Sequence, residues 1–523
     1  MKKNVLAVSI AAMIGGLSLA GVASAGSIHD VGATADELKV TDTGVGHILL
    51  VPYFSTQNGN VSLLNITNTD TKNGKAVKLR YRGAANSDDI YDITIFLSPG
   101  DMWSANVSQE NGRSTLVTKD NSCTLPANVN APFSTARLAS GDQGEGTLEG
   151  YIEILNMADV PATLANADDG TLGTTPNPLF TATKHVNGVA PCGTIPSQLK
   201  DLETFGTADN GWDVRGYNYP TGGLMANWMI MNLGKAGSFT GEATAVVAVD
   251  NTGASAKANI VFSPQEEEGV VSNAADLTAD PLLVGANPIV KPKNYDFPDL
   301  STPYVSASTD PIDQAHALSY ALATASVTNE YMTSPDVGFA TDWTFSMPSR
   351  RYNVAVDYAA NARVVASGAQ YFTNANTSYN STTKQICVNS SFDDLAYFNT
   401  EEGVKTTTPG GYVISPQVPG QTPTLAFCGE TSVLAFNKTL GATDPTGVLG
   451  ALIARQSLQT LSKANSTDVY TDGWMSLKTP GNSGLGLPVI GHAFAKALSN
   501  SAVSLGGIWK HRTDKNVAVP SIP

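Results

Sequence analysis

Through long stretches of this chain apolar and polar residues alternate with a period of two, the pattern of strands with one face inward and one outward. In "KAVKLRYRG" the residues Val77, Leu79 and Tyr81 point one way, while Lys78, Arg80 and Arg82 point the other. In "IYDITIFL" Tyr91, Ile93, Ile95 and Leu97 alternate with Asp92 and Thr94. Ser98-Pro99-Gly100-Asp101 then supplies a turn, after which "MWSANVS" resumes as a strand. The basic row is expected to face Asp88, Asp89 and Asp92 across a strand pair, which is sheet stabilisation and not chemistry. "NVSLLNITNTD", Asn60 to Asp70, lies between Asn58-Gly59 and Asn73-Gly74. Both dipeptides suit primed hairpin turns, so Val61 to Thr67 is expected as the middle strand of a meander.

Further strands are expected at "TLEGYIEILNM", "LMANWMIMNL" and "GEATAVVAVD", then at "TDWTFSMPSRRYNVAV", "TSVLAFN", "GWMSLKT" and "VSLGGIWKHR". A short likeness between "GNVSLLNITN" and "GGLMANWMIMN" falls below what a repeat requires. The best helical pattern begins at Asp310, where Ile312, Ala315, His316, Tyr320 and Leu322 give partial amphipathic order. Ser263 to Pro303, with "QEEEG" and several prolines, reads as a linker. The chain is too long for one core. The expectation is a mainly β protein with two Ig-like β-sandwich domains and long loops. Residues 1–25 form a signal peptide, 26–262 the first sandwich, 263–340 a proline-rich, partly helical connector, and 341–523 the second sandwich.

The leader assignment rests on "MKKN", an uncharged apolar run and the small-residue site "ASA", with cleavage between Ala25 and Gly26. Gly15, Gly16 and Gly21 and that cleavage site speak against a membrane anchor. No other run is long and apolar enough to span, so no transmembrane segment is expected in the mature chain. The formal net charge is −15, and losing Lys2 and Lys3 with the leader makes it more negative. Nucleic acid and anionic lipid, which reward Lys and Arg, are thereby poor partners. Charged residues are 15% of the chain, against about 25% in ordinary domains, and Asn, Ser, Thr and Gly take over the solubilising. Four cysteines survive export: Cys123, Cys192, Cys387 and Cys428. They allow three pairings, of which Cys123–Cys192 with Cys387–Cys428 is the simplest, one pair in each half. No C-x-x-C spacing supports a metal alternative.

Catalytic signatures are missing from the sequence. The six histidines, His29, His47, His185, His316, His492 and His511, show no ligand spacing, and His185 and His511 are the most suggestive. Gly481-Asn482-Ser483-Gly484 has the wrong interval for a nucleophile elbow, and no phosphate loop is present. Asp88-Asp89, Asp168-Asp169 and Glu266 to Glu268 are paired acids, read as solvating loop residues. No enzyme, no catalytic residue and no cofactor are therefore assigned. "NADDG" and "DVYTDG" resemble fragments of calcium loops without fitting one, so calcium is an unlocalised candidate. The tryptophans Trp103, Trp212, Trp228, Trp343, Trp474 and Trp509 are expected mainly in the core, with a sugar platform as the competing use. The N-x-S/T triplets at Asn60 and Asn65 are not glycosylation sites if the leader is bacterial.

Several stretches together resemble a family of secreted, surface-layer-like cell surface proteins of Gram-negative bacteria. They are "GHILLVPYFS" with "NVSLLNITNTD", "EGYIEILNM", "KHVNGVAPC", "TNEYM" with "TDWTFSMPSRRYNV", and "GLPVIGHAF" with the later "HR". The resemblance implies a surface-layer or envelope-coat role and brings no catalytic residues. The expected function is an exported structural protein of the cell surface that self-associates into a layer or coat, with cell-envelope glycans as further partners. The alternative is a secreted glycan-binding or glycan-hydrolysing protein. A cleft joining a tryptophan to two nearby carboxylates would favour that alternative.

Overall fold

The computed structural model describes residues 32–139, 141, 143–167, 169–193, 195, 212–235, 237–261, 299–302, 304–305, 311–334, 338–358, 360–390, 395–401, 404–406, 414–415, 425–437, 444–459, 471–499 and 503–518. The leader and the Ala25–Gly26 cleavage point lie outside them, as do Glu266 to Glu268.

The protein is mainly β. In the first half a seven-stranded antiparallel sheet has Ile48–Ser55, Glu149–Val160, Gly74–Gly83 and Asp89–Leu97 as its central strands. A six-stranded antiparallel sheet faces it, centred on Leu224–Asn232, Val61–Asn68 and Met102–Glu110. Leu49, Val51, Val77, Leu79 and Ile93 from the first sheet meet Leu64, Ile66, Trp103, Val107 and Trp228 from the second, which forms a sandwich core. The seven-stranded sheet is wider than an immunoglobulin sheet and is covered on its other face too. Leu50, Ala76, Phe96, Leu155 and Val246 pack there against loops and against the helix Pro311–Leu322. Gly74–Gly83 and Glu149–Val160 are consequently buried at every position.

The meander expected around Val61 is corrected. Val61–Asn68 pairs with Leu224–Asn232 and Met102–Glu110, whereas its sequence neighbours Ile48–Ser55 and Gly74–Gly83 belong to the other sheet. The chain crosses between layers at each turn. Asn58 and Gly59 do hold positive φ, 52° and 80°. At Asn73-Gly74 the turn is built differently: the Asp70 carboxylate accepts the N–H groups of Lys72 and Asn73, so Gly74 needs no positive φ and begins the next strand. The two stretches that looked alike, around Val61 and Leu224, are paired neighbours whose alternate residues fill one core.

In the second half a five-stranded sheet, ordered Val404–Thr406, Leu395–Asn399, Asp472–Lys478, Ser326–Met332 and Arg512–Asp514, faces a six-stranded one. The central strands of the latter are Thr431–Asn437, Phe339–Ser346 and His492–Ser499. Val327, Tyr331, Met475 and Leu477 pack against Trp343, Phe345, Leu434 and Phe436. Of the stretch expected as connector, residues 263–298 lie outside the described residues, and the described part from 311 onward is built into these layers. Ala315, Leu318 and Leu322, at helical spacing, bury one helix stripe on the first half, and Ser326–Met332 is a central strand of the second. Val433, Leu449, Ala454 and Phe494 enter the first core, so the halves share an interior. Glu149 fixes this seam: its Oε1 accepts the N–H groups of Leu452, Ile453 and Ala454, and its Oε2 accepts the Tyr53 hydroxyl.

Candidate binding site on the outer sheet face

The basic row of Gly74–Gly83 finds the acids assigned to it. Lys78 and Arg80 lie in register with Thr94 and Asp92, and Arg82 with Asp89. Lys78 bonds Asp92 at 2.6 Å, Arg80 bonds Asp89, and Arg82 reaches Glu153 at 3.1 Å. None of this is solvated: Lys78, Arg80 and Arg82 are at most 2% exposed, and Asp88 and Asp89, expected in water, are buried as well. Arg82 and Glu153 lie near Tyr352 in the turn Arg350–Tyr352 of the second half, where Arg350 pairs with Glu430 and Arg351 lies 3.7 Å from Asp299. Charge that is buried and satisfied mutually is structural.

The cysteines form both simplest pairs, Cys123–Cys192 and Cys387–Cys428. The second joins directly opposed residues of adjacent strands. Two disulfides with no free thiol indicate folding in an oxidising, extracytoplasmic environment. No helix among the described residues is long and apolar enough to cross a membrane.

His47, His185 and His511 are hydrogen-bonded structural groups, and His29 lies outside the described residues. His47 Nε2–H donates to the Ala256 carbonyl and Nδ1 accepts from Ala248 N–H, and burial lowers its pKa to about 3. His511 bridges Thr344 O and Asn329 between the Trp343 and Phe345 rings, and burial lowers it to about 3 too. His492 stands edge-on to Trp228, lowered by burial to about 4. His185 lies on the surface, 3.3 Å from Asp101. In "NADDG" Asp169 accepts from Thr171 N–H and hydroxyl, and Asp168 lies outside the described residues. No three potential metal ligands converge among the described residues.

Trp103, Trp212, Trp228 and Trp343 are buried, and Trp509 packs partly against the second core. Trp474 differs, at 39% exposed. It stands on the outer face of the five-stranded sheet, in one row with Phe398 and Glu330 of the flanking strands. Its ring lies flat against Phe398, with centroids 3.7 Å apart and planes 2° from parallel. The other ring face is thereby turned toward the Glu330 strand. There an open depression of about 840 Å³ is lined by Trp474, Glu330, Met332, Phe339, Asn399 and Asp472. Asp472 is held at its rim, its Oδ1 accepting from Thr333 and Ser334 N–H. Glu330 is half exposed, 3.9 Å from Arg512. An aromatic face beside carboxylate and amide acceptors can stack a sugar ring and accept its hydroxyls. Sequence reading missed this assembly because Glu330, Phe398 and Trp474 are brought together only by sheet order. The outward place of Trp474 was legible only in the alternation of "GWMSLKT", where Met475 and Leu477 take the core.

The fold and chemistry define a disulfide-tied, mainly β protein of an oxidising compartment with an aromatic–acidic slot on its outer face. No family model matches the chain, and neither a search of curated proteins nor one of solved structures finds a match.

Proposed function

We propose that this is an exported structural protein of the bacterial cell surface, with a rigid β scaffold that presents the Trp474 slot to envelope glycans. The convergence of Trp474, Phe398, Glu330 and Asp472 in one open depression carries the glycan-binding part of this reading, which the sequence offered as the alternative function. Binding fits the geometry better than hydrolysis, since Asp472 spends an oxygen on two backbone N–H groups of a turn. Self-association into a layer is the second element. Leu505 is 70% exposed on Val503–Lys510, the outermost strand of the six-stranded sheet, and Leu233 is 81% exposed on a corner of the first half. An edge strand carrying an outward leucine and no proline suits contacts between copies. The leader and the resemblance to cell surface proteins support export and the coat role. Electron microscopy of wild-type and deletion cells, with fractionation for the chain, tests the proposal. A surface layer lost on deletion is expected. An unchanged surface with the protein absent from the envelope would overturn it.

A further inference from the structure

At the seam of the two halves lies a second and much smaller polar cavity. Its walls come from Asn58, Asn60 and Asn232 of the first half and from the Thr446–Gly450 loop of the second, with Lys235 and Lys496 facing it. The walls are already committed. Asn58 Nδ2 donates to Gly450 O at 2.9 Å, and Asn60 Nδ2 donates to Leu449 O at 2.7 Å. Asn232 Nδ2 donates to Asn58 O and Asn60 Oδ1, both at 2.9 Å. Val448 and Leu449 N–H turn away from the space, toward Asp342.

The ammonium groups are not committed. Lys496 is 3% exposed, and its three-donor head makes one long bond, 3.4 Å to Lys235 O. Among the described residues no carboxylate pairs with Lys496 or Lys235, although the chain carries 46 acidic residues against 31 basic ones. Lys235 instead adds a second positive charge, and burial with this neighbour lowers the Lys496 pKa. A buried cation lacking a counter-charge and facing a like charge is costly unless an anion completes the site.

We propose that this cavity is a seat for one small monovalent anion, chloride by its dimensions, held by Lys496 with Lys235 at its mouth. The space is small, about 20 Å³, which suits a compact monovalent ion. Because Lys235 belongs to the first half and Lys496 to the second, the bound anion ties the halves together. Nothing here depends on the Trp474 slot, which lies on a different sheet.

Crystals of the full mature protein grown in sodium bromide, measured at the bromine edge, locate the ion. The expected result is an anomalous peak beside Lys496 Nζ that is absent in Lys496→Met. Bromide on exposed lysines with none in this cavity would overturn the proposal. In solution, chloride-35 NMR of the wild-type protein should show excess line broadening with saturable competition by bromide. Lys235→Gln alters an exposed residue and so keeps the fold. It should weaken chloride affinity about threefold, and Lys496→Met at least tenfold. Broadening unchanged in Lys235→Gln would overturn the proposal even if Lys496→Met failed to fold.

Discussion

Two strands of this protein carry alternating patterns of opposite meaning. In Gly74–Gly83 the outward-looking residues Lys78, Arg80 and Arg82 are charged, and none meets water. In Asp472–Lys478 the outward-looking Trp474 is aromatic and meets water freely. Side-chain type alone would have placed them the other way round. The difference lies in what covers each sheet. The seven-stranded sheet has a layer on both faces, and its charges are satisfied by Asp89, Asp92 and Glu153. The five-stranded sheet packs its core on one face and leaves Trp474 exposed on the other. A buried charge that finds partners is architecture, whereas the exposed Trp474 ring is spare to the core and open to contact.

This contrast can be broken at several points, beginning with the largest effect. Arg82→Met leaves Glu153 in the interior without its cation. We expect a loss of about 3–5 kcal/mol in urea unfolding, the usual cost of orphaning one partner of a buried pair. A loss below about 1 kcal/mol would mean that the row is solvated after all. Next come the disulfides. Replacing Cys123 and Cys192, or Cys387 and Cys428, with alanine should each cost about 2–4 kcal/mol by the same measurement. Cys123–Cys192 should cost the more, because it spans 69 residues against 41. Trp474→Ala should change stability by less than about 1 kcal/mol, since the ring is exposed and its core neighbours Met475 and Leu477 stay in place.

The effects of pH are spread over several units and are read as a profile. His47, His492 and His511 have folded-state pKa values of about 3 to 4, below the unfolded value of about 6.5. The unfolded chain therefore binds more protons between these values, and stability should fall as pH drops below about 6.5. Asp342 acts oppositely. Burial raises it to about 6, so the folded state binds the extra proton and stability from this group falls as pH rises from about 4 to about 6. Asp342→Asn should therefore gain on the wild type as pH rises through that window, measured by thermal melts from pH 4 to 7.5. A stability difference that is flat with pH would contradict the burial of this carboxyl.

Much of the scaffold was legible in the sequence. Period-two runs marked the strands, the basic row called for Asp89 and Asp92 but not for Glu153, and the four cysteines paired in the simplest way. Strand order was not legible, because alternation fixes which residues share a face but not which sheet the strand joins. Hence "NVSLLNITNTD" reads as a meander until the Asp70-built turn is seen to carry the chain between layers. The segment from Asp310 reads as the best helix, and it is one, but nothing in its pattern marks Ala315, Leu318 and Leu322 as closing the core of the first half. The slot was hidden more deeply, since Glu330, Phe398 and Trp474 lie far apart in the chain and meet only through cross-strand register.

The central claim is that the Trp474 slot faces a glycan while the charged row serves the fold. It is tested most directly by the binding of purified wild-type and Trp474→Ala protein to polysaccharide isolated from the cell envelope, followed calorimetrically. The account predicts saturable binding by the wild type and at least a tenfold loss in the variant, with both proteins melting at nearly the same temperature. Equal binding by the two, or none by the wild type, would contradict it.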